Sequence, residues 1–210
     1  MLIKRYLMLR TFLLAILFVG LYENLTAQSD YENKILQFQK DLNAEYKNPE
    51  ESPLTPEEQK VFKGHQFYPI DSTYRVMAQF YRIENPATID FATSSGKIKQ
   101  EETYAIASFE LDGKPYQLTI YQSPELRETE EYRDYLFLPF TDYTSGVETY
   151  GAGRYIDLRI PEGETIVIDF NKAYNPFCAY SPNYSCPIPP QVNDLKTEIK
   201  AGIRGPEKHK

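Results

Sequence analysis

The sequence predicts a mainly β protein, an antiparallel β-sandwich or partly open β-barrel with a helix at each end. Three observations predict it. From Thr73 onward the apolar residues recur with a period of two. Asp112-Gly113, a preferred two-residue hairpin turn, separates two β-prone runs. No strand–helix–strand alternation is present, which argues against a parallel doubly wound sheet. The 18 Tyr and 12 Phe add β-prone bulk, and 41% hydrophobic content suffices for a core.

Residues 1–27 read as a secretory signal, 28–60 as an N-terminal helix and linker, and 61–210 as one β-rich domain. Lys4, Arg5 and Arg10 precede the apolar run "TFLLAILFVGLY", and Ala27 offers a small residue for cleavage. The run is shorter than the ~20 residues a membrane span needs. The expectation is therefore export to the periplasm or beyond, with no stable membrane insertion after cleavage. Without this segment the chain keeps 20 basic and 29 acidic residues, a net charge of −9. Such a chain repels phosphate backbones, so nucleic acid is not an expected partner.

Asp30 to Lys47 reads as an amphipathic helix, with Tyr31, Ile35, Phe38, Leu42 and Tyr46 on one face. After a proline-marked linker, Thr55 is an N-cap, Pro56 suits the first helical position and Glu58 completes a capping box. The runs "TYRVMAQFYRI" and "ATIDFATS" follow as strands. In the Asp112-Gly113 hairpin, Phe109 is expected opposite Tyr116, Ala107 opposite Leu118 and Ala105 opposite Ile120. That register puts one apolar face on both strands. "LFLPF" (Leu136 to Phe140) is a buried strand, where Pro139 signals an edge or a bulge. Arg154–Ile160 and Thr165–Asn171 are expected to form a last hairpin, and 192–200 a C-terminal helix.

The last hairpin carries the candidate chemistry. An odd-numbered loop would place Asp157 and Asp169 on one face, opposite or one pair offset. Close carboxylates must be solvated, share a proton, bind a cation or meet a base. Asp157 and Asp169 are thus the candidate catalytic carboxylates of a hydrolase-like alternative, with a cation as an optional aid. The stretch "DFNKAYNPFCAYSPNYSCPIPP" (Asp169 to Pro190) is rich in amides, tyrosines and prolines. It suits the wall of a site for a small-molecule or polymer ligand, with Arg154 and Asp142 beside it; an envelope structural module would use the same loop for packing. Cys178 and Cys186 lie in it. In an exported chain a disulfide is their expected state, with two free thiols as the alternative. His65 and His209 are too few for a structural zinc site, so no metal is expected. No nucleophile elbow or phosphate-cradling loop is present, and no cofactor is implied.

Three segments carry a family signature: "LFLPFTDYTSGVETYGAGRYIDL", "DFNKAYNPFCAYSPNYSCPIPPQVNDL" and "IKAGIRGPEK". They resemble a bacterial family known as a domain of unknown function, number 1684, over about residues 60 to 206. The resemblance implies no activity. Carried over position by position, it points to Asp142, Thr144, Gly146, Tyr150, Arg154, Asp169, Asn171, Tyr174, Asn175, Cys178, Cys186 and Asn193.

Overall fold

A computed structural model describes residues 28–206. The expected signal segment and His209 lie outside the described residues. Contacts divide the chain into two units, Met1–Asp41 and Leu42–Lys210. The described part of the first unit is helical and belongs to α1 (28–47). Side-chain pairs one turn apart lace its exposed face, Lys34 to Asp30 at 2.6 Å and Gln37 to Asp41 at 2.7 Å. Among the described residues no helix is long and apolar enough to cross a membrane.

The second unit takes up the last residues of α1. The short α2 (Pro56–Val61) opens with the expected capping box, in which the Thr55 N–H donates to Glu58 Oε2 at 2.8 Å. Seven strands follow: β1 (Arg75–Arg82), β2 (Thr88–Ala92), β3 (Ile98–Leu111), β4 (Lys114–Gln122), β5 (Tyr135–Phe140), β6 (Arg154–Arg159) and β7 (Thr165–Asp169). They form one antiparallel sheet in the order β6-β5-β4-β3-β1-β7, with β2 also paired to β3. The two end strands come back beside each other without a ladder, so the sheet is a nearly closed barrel.

The β3–β4 hairpin has the expected register, with Phe109 opposite Tyr116, Ala107 opposite Leu118 and Ala105 opposite Ile120. Asp112 and Gly113 have φ of 50° and 70°, the left-handed pair that a type I′ turn requires. One ladder irregularity reorganises the sheet. Thr103 faces Tyr121, but Ala105 faces Ile120, so Tyr104 is an extra, bulged residue. Beyond the bulge Ala105 and Ala107 point into the barrel with Leu118, Ile120, Leu136, Leu138, Ile156 and Ile168. Before it, Glu101 and Thr103 share the outer face with Tyr121. A second apolar layer covers that face, built of Phe91, Tyr121, Phe137, Tyr155 and Cys186. The 174–186 part of the loop therefore lies on the outside of the sheet in its second layer, while Phe170 and Ala173 pack into the barrel core.

Pro139 lies in an interior strand, yet no ladder bond is lost to it. β4 and β5 pair only at Tyr121 and Phe137 and part before Pro139. The Asn193 side chain fills the gap. Its amide accepts from Thr119 N–H at 2.8 Å and donates to the carbonyls of Thr119 at 2.8 Å and Pro139 at 2.7 Å.

Two expected elements are absent. β6 and β7 do not form a hairpin: β6 pairs with β5, and β7 pairs with β1. Each end of the link is captured by a different neighbour. Ile160 N–H bonds the Asp134 carbonyl at 2.8 Å, and the Glu164 carbonyl accepts from Phe80 N–H at 2.7 Å. The C-terminal helix is reduced to a 3-10 turn, Gln191–Asn193. The chain after it is drawn into bridges with Thr141 instead of its own helical bonds.

Candidate functional site

Arg154 opens β6 on the inward face and is fully buried. Its Nη2 donates to Asp142 Oδ2 at 2.9 Å and to the Ile199 carbonyl at 2.8 Å. Its Nη1 donates to the carbonyls of Ala201 at 2.5 Å and Ile203 at 3.2 Å. Asp142 Oδ1 in turn accepts from the Thr144 N–H at 2.8 Å, the Thr144 hydroxyl at 2.6 Å and the Ile199 N–H at 3.2 Å. Burial pulls the guanidinium pKa down and Asp142 opposes it. With no surface open to solvent, this pair ties the 199–203 segment to the barrel end.

Asp169 and Asn171 make a second clamp. Asn171 Nδ2 donates to Asp169 Oδ1 at 3.0 Å and to the Asp71 carbonyl at 2.8 Å, and its Oδ1 accepts from the Asp71 N–H at 3.0 Å. Strand alternation turns Asp157 and Asp169 to the outer face, since Ile156 and Ile168 beside them point into the core. The missing hairpin means that no ladder sets one carboxylate against the other. Asp157 meets tyrosines instead. Its Oδ1 accepts from the hydroxyls of Tyr135 and Tyr174, both at 2.7 Å. The carboxylate remains exposed on the outer face. The surrounding protein raises its pKa by desolvation, and the two tyrosines and Arg159 partly oppose that rise. Among the described residues no group of three or more His, Cys, Asp or Glu side chains is placed to hold a metal ion.

A groove of about 1100 Å³ opens beside these clamps. α2 and residues 62–66 line it together with the 146–151 loop, Ala179, Tyr180 and residues 204–206. Val61 and Val147, among the exposed large apolar side chains of the chain, both lie in its lining. Polar groups converge on the same space: Lys63, His65, Tyr150, Tyr180 and Arg204.

His65 is the most elaborately held of them. Its N–H donates to Asn43 Oδ1 at 2.7 Å, which pins the backbone. Its ring lies in an aromatic box, 4.2 Å from the Tyr46 centroid, 5.0 Å from Phe62 and 5.4 Å from Tyr180. Asn175 Nδ2 donates to the Arg204 carbonyl at 2.9 Å and to Tyr180 Oη at 3.0 Å. The Tyr180 hydroxyl is then free to donate to His65 Nδ1 at 3.2 Å. This order makes Nδ1 the acceptor and leaves the ring proton on Nε2, which is buried and has no hydrogen-bond partner among the described residues. Burial lowers the His65 pKa to about 4, so the ring is neutral near neutral pH.

The unfolded chain binds a proton at this position near pH 6.5 and the folded chain only near pH 4. Stability contributed by the neutral ring is therefore complete above pH 6.5 and is lost as pH falls toward 4. The melting temperature is expected to drop across that window. His65→Phe is expected to flatten the drop, and thermal unfolding from pH 7 to 4 measures both.

Cys178 and Cys186 are free thiols, not the expected disulfide. They are nevertheless neighbours. The Cys178 N–H donates to Cys186 Sγ at 3.2 Å, and Tyr150 Oη lies 3.8 Å from Cys178 Sγ. The Cys186 backbone is fixed by Ser94, whose hydroxyl accepts its N–H at 3.1 Å. Hydrogen bonding from Cys186 lowers the Cys178 pKa to about 6, against the opposing effect of burial. The same bond raises the Cys186 pKa.

The signature positions thus divide among several places. Arg154–Asp142 and Asp169–Asn171 are internal clamps, Tyr174 holds Asp157, and Asn175 stands behind Tyr180 and His65. Tyr150 joins the groove to the thiols. Of the groove residues, Lys63 and His65 lie outside the quoted signature segments, and Val147 and Tyr180 lie within them without being among the positions singled out.

The architecture and its site define a small antiparallel barrel with a second apolar layer and a polar-rimmed groove. The profile described as "Protein of unknown function (DUF1684)" matches residues 60–204, and the chain belongs to that family. It is also similar to the solution NMR structure of an uncharacterized protein of Haloarcula marismortui. The two share 34% identity with a TM-score of 0.67, over 87% of this chain and 98% of that one. No curated protein matches the chain.

Proposed function

We propose that the protein is exported and binds a small organic molecule, or a segment of a polymer, in the groove beside His65. The observation that carries this reading is the groove itself: about 1100 Å³, with exposed Val61 and Val147 beside His65 and Tyr180. The groove mixes apolar and polar surface in about equal parts, which offers an organic ligand both buried contact and orienting partners. The basic and apolar N-terminal pattern ending at Ala27 supports export.

Thermal-shift screening against sugars, metabolites and metal ions tests the reading. A compound present at 100 times its dissociation constant adds about 2.7 kcal/mol to stability. Val147 is 83% exposed, so Val147→Asp is expected to abolish that shift without altering the unliganded melting temperature. A flat response to every compound would instead favour an envelope structural module. The second reading, acid–base chemistry at Asp157 on the outer face, is favoured by its raised carboxyl pKa and its hydrogen bonds from Tyr135 and Tyr174. A shift that survives Val147→Asp and disappears in Asp157→Asn would select it.

A further inference from the structure

We propose that Cys178 and Cys186 form a reversible dithiol–disulfide pair that exchanges with a disulfide-bonded partner compound, Cys178 attacking and Cys186 resolving. Three features of the geometry point to it. The 3-10 turn Phe177–Ala179 brings the Cys178 N–H to 3.2 Å from Cys186 Sγ, so the thiols are already together. Their exposure is unequal: Cys178 is half-buried and Cys186 buried. An outside reagent therefore meets Cys178 first. Finally, Cys178 adjoins the groove, because its neighbour Ala179 and the hydroxyl-bearing Tyr150 both line it.

The surroundings suit attack from Cys178. Hydrogen bonds from Cys186, Ser94 and Tyr150 stabilise its thiolate, with Cys186 contributing most. Exchange needs a thiolate that is accessible and populated near ambient pH. The chemistry balances without any further reagent. The Cys178 thiolate bonds to one sulfur of the partner disulfide, whose S–S bond breaks; the other sulfur leaves as a thiolate and takes up a proton. Cys186 then gives up its proton and attacks the Cys178 sulfur. The mixed disulfide breaks and the second partner thiol leaves. Two protein thiols are oxidised and one partner disulfide is reduced.

The inference rests on proposed export only for a supply of disulfides, since an exported chain meets an oxidising compartment. Its test uses no groove ligand, so its failure and that of the groove reading are separable. The full chain is incubated with oxidised glutathione and alkylated, and the modified thiols are identified by mass spectrometry. The native protein is expected to form a Cys178–Cys186 disulfide that dithiothreitol reduces without denaturant. Cys186→Ser keeps a hydroxyl beside Cys178 and is expected to accumulate a glutathione adduct on Cys178. Iodoacetamide is expected to label Cys178 with a midpoint near pH 6, and at neutral pH roughly tenfold faster than Cys186. Equal labelling of the two thiols would overturn the proposal. So would an adduct that forms only on Cys186, or a disulfide reducible only after unfolding.

Discussion

Asp142→Ala is expected to lower the unfolding free energy by about 3–5 kcal/mol, a large share of the ~5–15 kcal/mol that a domain commands. The cost does not come from losing an attractive pair alone. It comes from leaving a guanidinium with no solvent-exposed surface beside an empty place. The Ile199 N–H, the Thr144 N–H and the Thr144 hydroxyl lose their acceptor at the same time. Arg154→Met removes the charge and fills much of the same volume. It orphans three carbonyls but leaves Asp142 with its N–H donors, so its cost is expected to be smaller. The double variant is expected to be more stable than the sum of the single effects predicts, because the buried unpaired charge is gone. Urea unfolding of the four proteins measures the coupling. Additive losses would show that the pair is not what holds 199–203 to the barrel.

Gly202→Ala is expected to cost a comparable amount, about 3–5 kcal/mol, from backbone strain together with overpacking. At φ +74° an L side chain is already strained. A Cβ there would also stand 2.5 Å from the Phe170 carbonyl oxygen, 2.8 Å from that of Ala173 and 2.9 Å from the Ala173 Cβ. None of these atoms yields easily. The Phe170 carbonyl accepts from Ala173 N–H at 3.0 Å, the Ala173 carbonyl accepts from Ile203 N–H at 2.9 Å, and Gly202 itself accepts from Tyr68 N–H at 2.9 Å. Gly113 provides the control. It has nearly the same φ, +70°, but nothing lies within 4 Å of the added carbon. Gly113→Ala should therefore lose only the backbone part, about 1–2 kcal/mol. Chemical unfolding of both variants separates crowding from strain, and equal losses would refute the crowding argument.

The sequence reveals most where an interaction is local. The Asp112-Gly113 turn dictates the register of its own hairpin, and alternation then assigns faces residue by residue. That rule stops at Tyr104, since a bulge depends on how two strands fit and leaves no mark in the spacing of apolar residues. Alternation also reads Arg154 as inward-facing, which left Asp169, Asp142 or a ligand carboxylate as its partner, and Asp142 is the one it meets. It cannot show that the carbonyls of Ile199, Ala201 and Ile203 arrive from far along the chain to complete the shell. The expected β6–β7 hairpin fails for a related reason. The five-residue link 160–164 is compatible with pairing, but β5 and β1 were already there to pair with each strand.

The groove was the least legible feature. Its residues come from four separated segments, and none of them shows a spacing that chemistry would demand. Asn193 is a contrasting case: its place among the signature residues carried no assigned role, and its amide stands in for a stretch of backbone that Pro139 prevents.

The unzipped seam between β6 and β7 has a consequence for life in a crowded solution. A barrel that closes fully has no free strand edge, whereas an open edge is a template on which another chain can add a strand. Tyr174 occupies part of the β6 edge, exchanging backbone hydrogen bonds with Tyr155 in both directions at 3.0 Å. Farther along, Asp157 and Arg159 put opposite charges on the same strand, and both remain exposed. A short patch followed by alternating charge guards against aggregation through that edge, while leaving the barrel free to be slightly open.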